Sequence, residues 1–417
     1  MRYAGFCNRK KNMEIKKIGI AGAGTMGGGI AQVVAQAGFQ VLLLDLTDPL
    51  VNKAIKRIET SLSKSVERGK IPSEEKDQVL GRIKPTIHIE DLRDAEVIIE
   101  AVAEDLKLKL DLFRRLNDLC PTETIFASNT STLSITEMAA SVSPPERFLG
   151  IHFFNPVPLM RLVEVIPGLQ TSREKVGMCV DFAKKIKKIP IVAQDCPGFL
   201  VNRIFMPYAG EAMLAVQEGA ARPEEVDKSM KQNGFPMGPL TLNDMVGIDV
   251  GVHTFPILNQ AYGERFPVPL LFERLFHAKR LGVKSGKGIF TDGKADGEFF
   301  EIVRKIQDET GIKDTEFSPE RLILRQVNEA IYCLQEKIAI ADDIDRAMVL
   351  GTGFPCDENG LGGPLHWADE KGLDWVLDKL NHFKDTLGPR FWPHPLLKQY
   401  VAAGYLGKKV KRGFFQY

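Results

Sequence analysis

The sequence predicts an α/β domain built on a parallel sheet, followed by two tandem all-α domains. Three observations carry that reading. Short β-branched runs alternate with amphipathic helical stretches through residues 17–193. Strands then disappear beyond Pro197-Gly198. The helical remainder repeats itself approximately. A length of 417 residues accommodates two or three domains at roughly 100–200 residues each.

Taken in order, residues 17–21 (KIGIA) read as a strand, 25–37 as a helix and 40–45 (QVLLLD) as a second strand. Apolar strands in such an alternation imply a parallel sheet covered on both faces. Residues 51–82 have a 3.6-residue apolar period (Ala54, Ile55, Ile58, Leu62, Val66) broken near Ile71-Pro72-Ser73. They predict a helical hairpin that leaves the sheet. Strands resume at 95–99, 124–127, 148–153, 162–166 and 189–193. The predicted domains are 13–196, 197–300 and 318–417, with the polar, partly helical stretch 291–318 as a linker.

The repeat aligns Arg203 with Arg321, Glu211 with Glu329, Gln217-Glu218 with Gln335-Glu336 and Asp227 with Asp345. Gly234-Phe235-Pro236 then meets Gly353-Phe354-Pro355, Gly238-Pro239-Leu240 meets Gly363-Pro364-Leu365, and Gly288 with Phe290 meets Gly413 with Phe415. So many matches in one order imply a duplicated helical domain. Copy 2 has Glu320 where copy 1 has Asn202, and it carries an inserted turn at 356–362, so it reads as structural.

Composition narrows the function classes. Hydrophobic residues make up 44% and charged residues 26%, which excludes wholesale disorder. With 55 Lys+Arg against 54 Asp+Glu, the chain offers no general field for nucleic acid. No apolar run reaches the ~18 residues of a membrane span. Six scattered cysteines without CxxC or histidine pairing read as reduced thiols in a cytoplasmic protein, with no metal site. The first twelve residues hold Arg2, Arg9, Lys10 and Lys11 and no acid. They read as a tail or an upstream start ahead of Met13, or else as a short targeting remnant.

Gly22-Ala23-Gly24-Thr25-Met26-Gly27 is a GxGxxG with a strand before it, a helix after it and a second strand closing the βαβ unit. Gly22 permits the tight turn, Gly24 lets the backbone approach a pyrophosphate, and Gly27 lets helix pack on strand. The pyrophosphate rests on free N–H groups of the helix N-terminus, beside Thr25 and Met26. Asp45 ends the second strand, where a carboxylate accepts from both ribose hydroxyls and repels a 2′-phosphate. The unit is therefore of Rossmann type and favours NAD.

Of seven histidines, His152 stands apart, because it ends a strand entering the Pro-punctuated loop Phe154-Asn155-Pro156. Ligands collect at that edge of a parallel sheet. Twelve residues on, Glu164 interrupts the apolar run Leu162-Val163-Glu164-Val165-Ile166. It is either outward-facing or a buried, paired group. The helical run 51–70 is basic, with Lys53, Lys56, Arg57, Lys64, Arg68 and Lys70 against Glu59 and Glu67. Such a run is a solvated helix face or a seat for an anionic coenzyme.

The runs GAGTMGGGIAQ, FASNTSTL, HFFNPVPLMRLVEV, PGFLVNR, GFPMGP and KSGKGIF resemble the L-3-hydroxyacyl-CoA dehydrogenases over about residues 14–290. The duplicated tail is similar to the dehydrogenase part of multifunctional β-oxidation enzymes. The resemblance implies NAD-dependent oxidation of (S)-3-hydroxyacyl-CoA to 3-oxoacyl-CoA, and the reverse. It implies His152 as general base, Glu164 as its partner, and Ser131 and Asn202 as substrate-facing residues. It further implies cofactor contacts at Asp45, Glu104, Lys109, Asn155 and Lys284, and coenzyme A contacts at Ser61 and Lys64. In single-copy relatives the helical domain dimerises, so two copies in one chain imply a monomer with an internal pseudo-dimer, or else a homodimer. Two readings compete with this one: a hydroxy-acid or sugar-acid dehydrogenase of the gulonate type, and a non-catalytic NAD-binding protein.

Overall fold

The computed structural model describes residues 15–417, so the basic stretch 1–12, Met13 and Cys7 lie outside the described residues. The chain divides into two compact units, Met1–Cys196 and Pro197–Tyr417.

The first unit is a sheet of eight strands: β1 (Lys17–Ala21), β2 (Gln40–Leu44), β3 (Ile83–Thr86), β4 (Val97–Glu100), β5 (Ile125–Ser128), β6 (Phe148–Phe153), β7 (Leu162–Pro167) and β8 (Ile189–Val192). Their order is β3-β2-β1-β4-β5-β6-β7-β8. Helices α1 (Thr25–Gln36), α2 (Asp48–Glu67), α3 (Ser73–Gly81), α4 (Leu106–Leu119), α5 (Ile135–Ala139) and α6 (Arg173–Lys185) connect the strands. The chain runs outward from β1 to β3 and then returns to β4 on the other side of β1. This reversal creates the crevice in which such sheets bind ligands.

Three features depart from the sequence reading. Residues 83–86 form a strand, β3, although Pro85 lies within it. Proline is tolerated there because β3 is the edge of the sheet, where one face of the ladder needs no donor. The sheet is also not wholly parallel, since β6 and β7 pair antiparallel. Only residues 154–161 join those strands, fewer than the dozen or more that a parallel crossover requires. Finally, α2 and α3 form the expected hairpin, but its base stays on the sheet. The α2 stripe Val51, Ala54, Ile58 and Leu62 belongs to the same buried core as β1, β2 and β4.

The second unit is helical. Copy 1 comprises α7 (Val201–Gln217), α8 (Pro223–Gln232), α9 (Pro239–Val246), α10 (Ile248–Tyr262) and α11 (Leu270–His277). Next comes α12 (Gly297–Thr310), and then copy 2 with α13 (Pro319–Gln335), α14 (Ala341–Thr352), α15 (Pro364–Lys371), α16 (Leu373–Leu387) and α17 (Pro395–Ala402). The stretch read as a partly helical linker is therefore helical over half its length, and that helix is packed. It buries Phe299, Val303 and Ile306 at helical spacing.

The copies are built alike. Asp227 accepts from the N–H groups of Leu240 and Thr241, as Asp345 does from Leu365 and His366. Asp244 accepts from Ile289 and Phe290, as Asp369 does from Phe414 and Phe415. A Cβ on Gly288 would lie 2.1 Å from the Asp244 carboxylate, and one on Gly413 1.9 Å from that of Asp369. The close approach explains why glycine recurs at both positions.

The copies pack through α7 against α13, and the contacts are reciprocal. Arg203 Nε donates to Glu329 Oε1 at 2.8 Å, and Arg321 Nε donates to Glu211 Oε1 at 2.8 Å. Arg203 also pairs with Glu336 at 2.7 Å, and Arg321 with Glu218 at 2.6 Å. A patch that contacts its own duplicate in this way is the arrangement of a two-fold dimer, formed here within one chain.

Candidate active site

The glycine-rich turn lies at the reversal between β1 and β4. Gly22 has φ +107°, and a Cβ there would stand 2.5 Å from the Ala101 carbonyl oxygen. A Cβ on Gly27 would come within 1.8 Å of the Gly22 oxygen. These two glycines are thus required by the protein's own packing. Gly24 differs, because nothing lies within 4 Å of where its Cβ would be. That open side faces the start of α1, whose first-turn N–H groups have no helical acceptor. The cradle fits a pyrophosphate.

Asp45 holds this turn in shape. Its carboxylate accepts from Ala23 N–H and Leu46 N–H, each at 2.7 Å. A carboxylate has about four acceptor positions, so two remain for ribose hydroxyls. Arg57, expected among the basic residues of α2, instead reaches the same turn and donates to the Ala23 carbonyl at 2.7 Å. Replacing Asp45 by Ala removes charged acceptors worth about 1.5–3 kcal/mol. The expected result is NADH affinity about 10–100-fold weaker, with reduced discrimination against NADPH, read by fluorescence titration.

His152 and Glu164 face each other across the β6–β7 pair. The His152 Nδ1···Glu164 Oε2 distance is 2.7 Å, with the histidine 6% exposed and the glutamate 0%. Of the two readings left open for Glu164, the structure shows the buried, paired one. Short strands joined by a short connection dictate this register, so the twelve-residue spacing becomes a direct cross-strand contact. Nδ1 is thus the ring nitrogen turned to the carboxylate, and Nε2 lies on the opposite side of the ring.

Beside this pair, the loop after β5 is held by a cluster that brings together Glu104, Lys109 and Ser131, expected from the resemblance, with Glu100, which the sequence reading does not single out as a site residue. Glu100, at the end of β4, is wholly buried. It accepts from Lys109 Nζ at 2.6 Å, Ser128 Oγ at 2.6 Å and Val102 N–H at 2.7 Å. Lys109 also pairs with Glu104 at 3.1 Å. Glu104 accepts from Thr130 Oγ1 at 2.5 Å and from Ser131 N–H at 3.1 Å. Burial works to raise the Glu104 carboxyl, but Lys109 and the loop donors outweigh it and hold it below its usual range. Lys109 is itself 1% exposed, so its ammonium acts from behind the Ser131 loop. Asn129 accepts from Phe153 N–H at 2.8 Å, which ties this loop to the strand of His152. The available signal for Glu100 was a carboxylate ending an all-apolar strand, the same signal that marked Glu164.

The remaining expected residues are spread more widely. Asn155 is exposed in the β6–β7 connection. Ser61 is half-buried and Lys64 exposed, both on α2. Asn202 lies in the first turn of α7, in the second unit. Lys284, also in the second unit, is ion-paired with Asp249. The same pair recurs as Lys409–Asp374 in copy 2, which has no sheet before it. That recurrence connects the Lys284 pair to the construction of the helical copy.

The sequence model of the 3-hydroxyacyl-CoA dehydrogenase NAD-binding domain matches residues 17–196. That of the 3-hydroxyacyl-CoA dehydrogenase C-terminal domain matches twice, at 198–292 and 317–417. The chain belongs to the 3-hydroxyacyl-CoA dehydrogenase family. Among curated members, the fatty acid oxidation complex subunit alpha of Shewanella amazonensis is 39% identical over 401 residues, covering 94% of this chain. The chain spans 56% of that relative's length. Among solved members, 3-hydroxybutyryl-CoA dehydrogenase from Escherichia coli has TM-score 0.84 and 31% identity, covering 94% of this chain and 100% of that one. The (S)-3-hydroxybutyryl-CoA dehydrogenase of Ralstonia eutropha, at TM-score 0.65 and 38% identity, covers 67% of this chain and 99% of its own. As a member of this family the chain carries an NAD-binding domain, and the open cradle with its Asp45 acceptor suits that cofactor. Among the described residues, no helix is long and apolar enough to cross a membrane.

Proposed function

We propose that this chain oxidises (S)-3-hydroxyacyl-CoA to 3-oxoacyl-CoA with NAD, and catalyses the reverse reduction. The observation that carries the proposal is the buried His152–Glu164 pair at the sheet edge that also bears the dinucleotide cradle. NAD, when bound, supplies the acceptor for the hydride leaving C3. The chain's own residues handle the proton. His152 Nε2 takes it from the C3 hydroxyl, a step worth about 10²–10⁴ in rate. Glu164 keeps the proton of the neutral ring on Nδ1 and stabilises the imidazolium that forms.

Ser131 keeps the substrate-facing role that the resemblance implies, a positioning role, and the bond from its N–H to Glu104 supports it by fixing the loop. Asn202 keeps the substrate-facing role that the family resemblance implies. The exposed cations of α2, including Lys64, suit the phosphates of coenzyme A. We also infer that the chain is a monomer, because copy 2 occupies the face of α7 through which a two-fold partner would pair.

NADH oxidation tests the activity. Acetoacetyl-CoA is the expected substrate, and free oxo acids are expected to be poor ones. Turnover of free acids in preference to any acyl-CoA from C4 to C16 would favour the gulonate-type reading.

A further inference from the structure

We propose that Lys188 is a positioning residue that clamps the hairpin carrying His152 and Glu164 against the dinucleotide helix α1; the inference rests on the dehydrogenase reading above. Lys188 lies in the turn between α6 and β8, and its side chain is buried. Its ammonium donates to the Val157 carbonyl at 2.5 Å and to the Met160 carbonyl at 2.6 Å. Both carbonyls belong to the connection 154–161 that joins β6 to β7. On its other side the connection meets α1, where a Cβ on Gly29 would stand 2.9 Å from Val157 Cβ. Residue 157 is therefore held between Lys188 and the helix whose first turn forms the cradle.

Burying an ammonium is costly, and here burial pushes Lys188 down to about 8. An apolar side chain would fill the space without that cost, so the charge is retained for what it holds. Two carbonyls held by one ammonium fix a connection that has no ladder of its own. His152 on one strand and Glu164 on the other are thereby kept in register with the start of α1.

The test compares Lys188→Met, Lys188→Gln and Lys188→Arg in the full chain. NADH affinity is measured by fluorescence, kcat and KM with acetoacetyl-CoA, and folding by circular dichroism. Losing two charged hydrogen bonds from the connection is expected to weaken NADH binding and to lower kcat in Lys188→Met, each about tenfold. KM for acetoacetyl-CoA is expected to change by less than about twofold, since the clamp bears on the dyad and on α1. Lys188→Arg, which can reach both carbonyls, is expected to restore most of the loss. A folded Lys188→Met with unchanged NADH affinity and kcat would overturn the proposal. Should that variant fail to fold, Lys188→Gln decides, and wild-type NADH affinity and kcat there would equally overturn it. Absence of acyl-CoA turnover in the wild type would refute the activity instead, while the NADH titrations still judge Lys188.

Discussion

Glu164→Gln is expected to lower kcat by about 10²–10⁴ while leaving the fold and NADH affinity near wild type. The carboxylate meets His152 Nδ1 at 2.7 Å with no exposure to water. As a carboxylate it can only accept, which keeps the proton of the neutral imidazole on Nδ1 and leaves Nε2 basic. A glutamine amide of similar shape can donate to Nδ1 instead. The ring then carries its proton on Nε2 and cannot accept another from the substrate. The imidazolium formed during oxidation also loses its buried counter-charge. Steady-state assays in both directions measure the loss. Full kcat with an unmoved pH profile in this variant would remove the dyad from the mechanism.

The second large effect concerns stability. Glu211 is buried in the α7–α13 contact among Arg321, Arg325 and Arg390. Burial acts to raise its pKa, but the three guanidinium groups outweigh burial and hold the carboxyl at about 2. Because the folded value lies below the unfolded one, the stabilisation is fully present above about pH 4.5 and is lost as pH falls towards 2. The difference corresponds to about 3 kcal/mol. Glu211→Gln removes the counter-ion that Arg321, Arg325 and Arg390 share. Glu218 stays on Arg321 and Arg390, but among the described residues no carboxylate then lies within ion-pair distance of the buried Arg325, so a loss of about 3 kcal/mol is expected near neutral pH. Chemical denaturation at pH 7 and pH 3 measures both parts. The variant should lose the part of the wild type's acid sensitivity that Glu211 contributes across that interval, while the other carboxyls held low, such as Asp296, keep theirs. A variant as stable as wild type at pH 7 would show that the reciprocal ion pairs do not hold the copies together.

How far the sequence disclosed this molecule depended on the kind of signal each feature leaves. Local patterns were readable: the glycine spacing, the strand–helix alternation and the duplicated arginine–glutamate positions each have a period or motif. Features decided by long-range pairing were not. Pro85 hid β3, because a strand at the edge tolerates what an interior strand does not. The antiparallel β6–β7 pair rests on the length of one connection, which composition does not weigh. The stretch containing α12 reads as partly helical, but its packing through Phe299, Val303 and Ile306 leaves no local signal.

In the site, His152 and Glu164 are legible as anomalies in apolar strands; their partnership follows from the family resemblance, and the residue pattern alone leaves it open until the register is known. Glu100 leaves the same anomaly, but its partners Lys109 and Ser128 come from separate elements, so no local spacing marks it. Lys188 left no pattern at all, since its acceptors are backbone carbonyls.

The pH dependence of the two reaction directions tests the proposed chemistry most directly. Oxidation of 3-hydroxybutyryl-CoA needs His152 neutral, whereas reduction of acetoacetyl-CoA needs it protonated. Measured as kcat/KM on the same enzyme, oxidation is expected to fall on the acid side while reduction holds or rises there. Two directions falling together on the acid side, or an oxidation rate indifferent to acid, would contradict a mechanism in which His152 carries the proton.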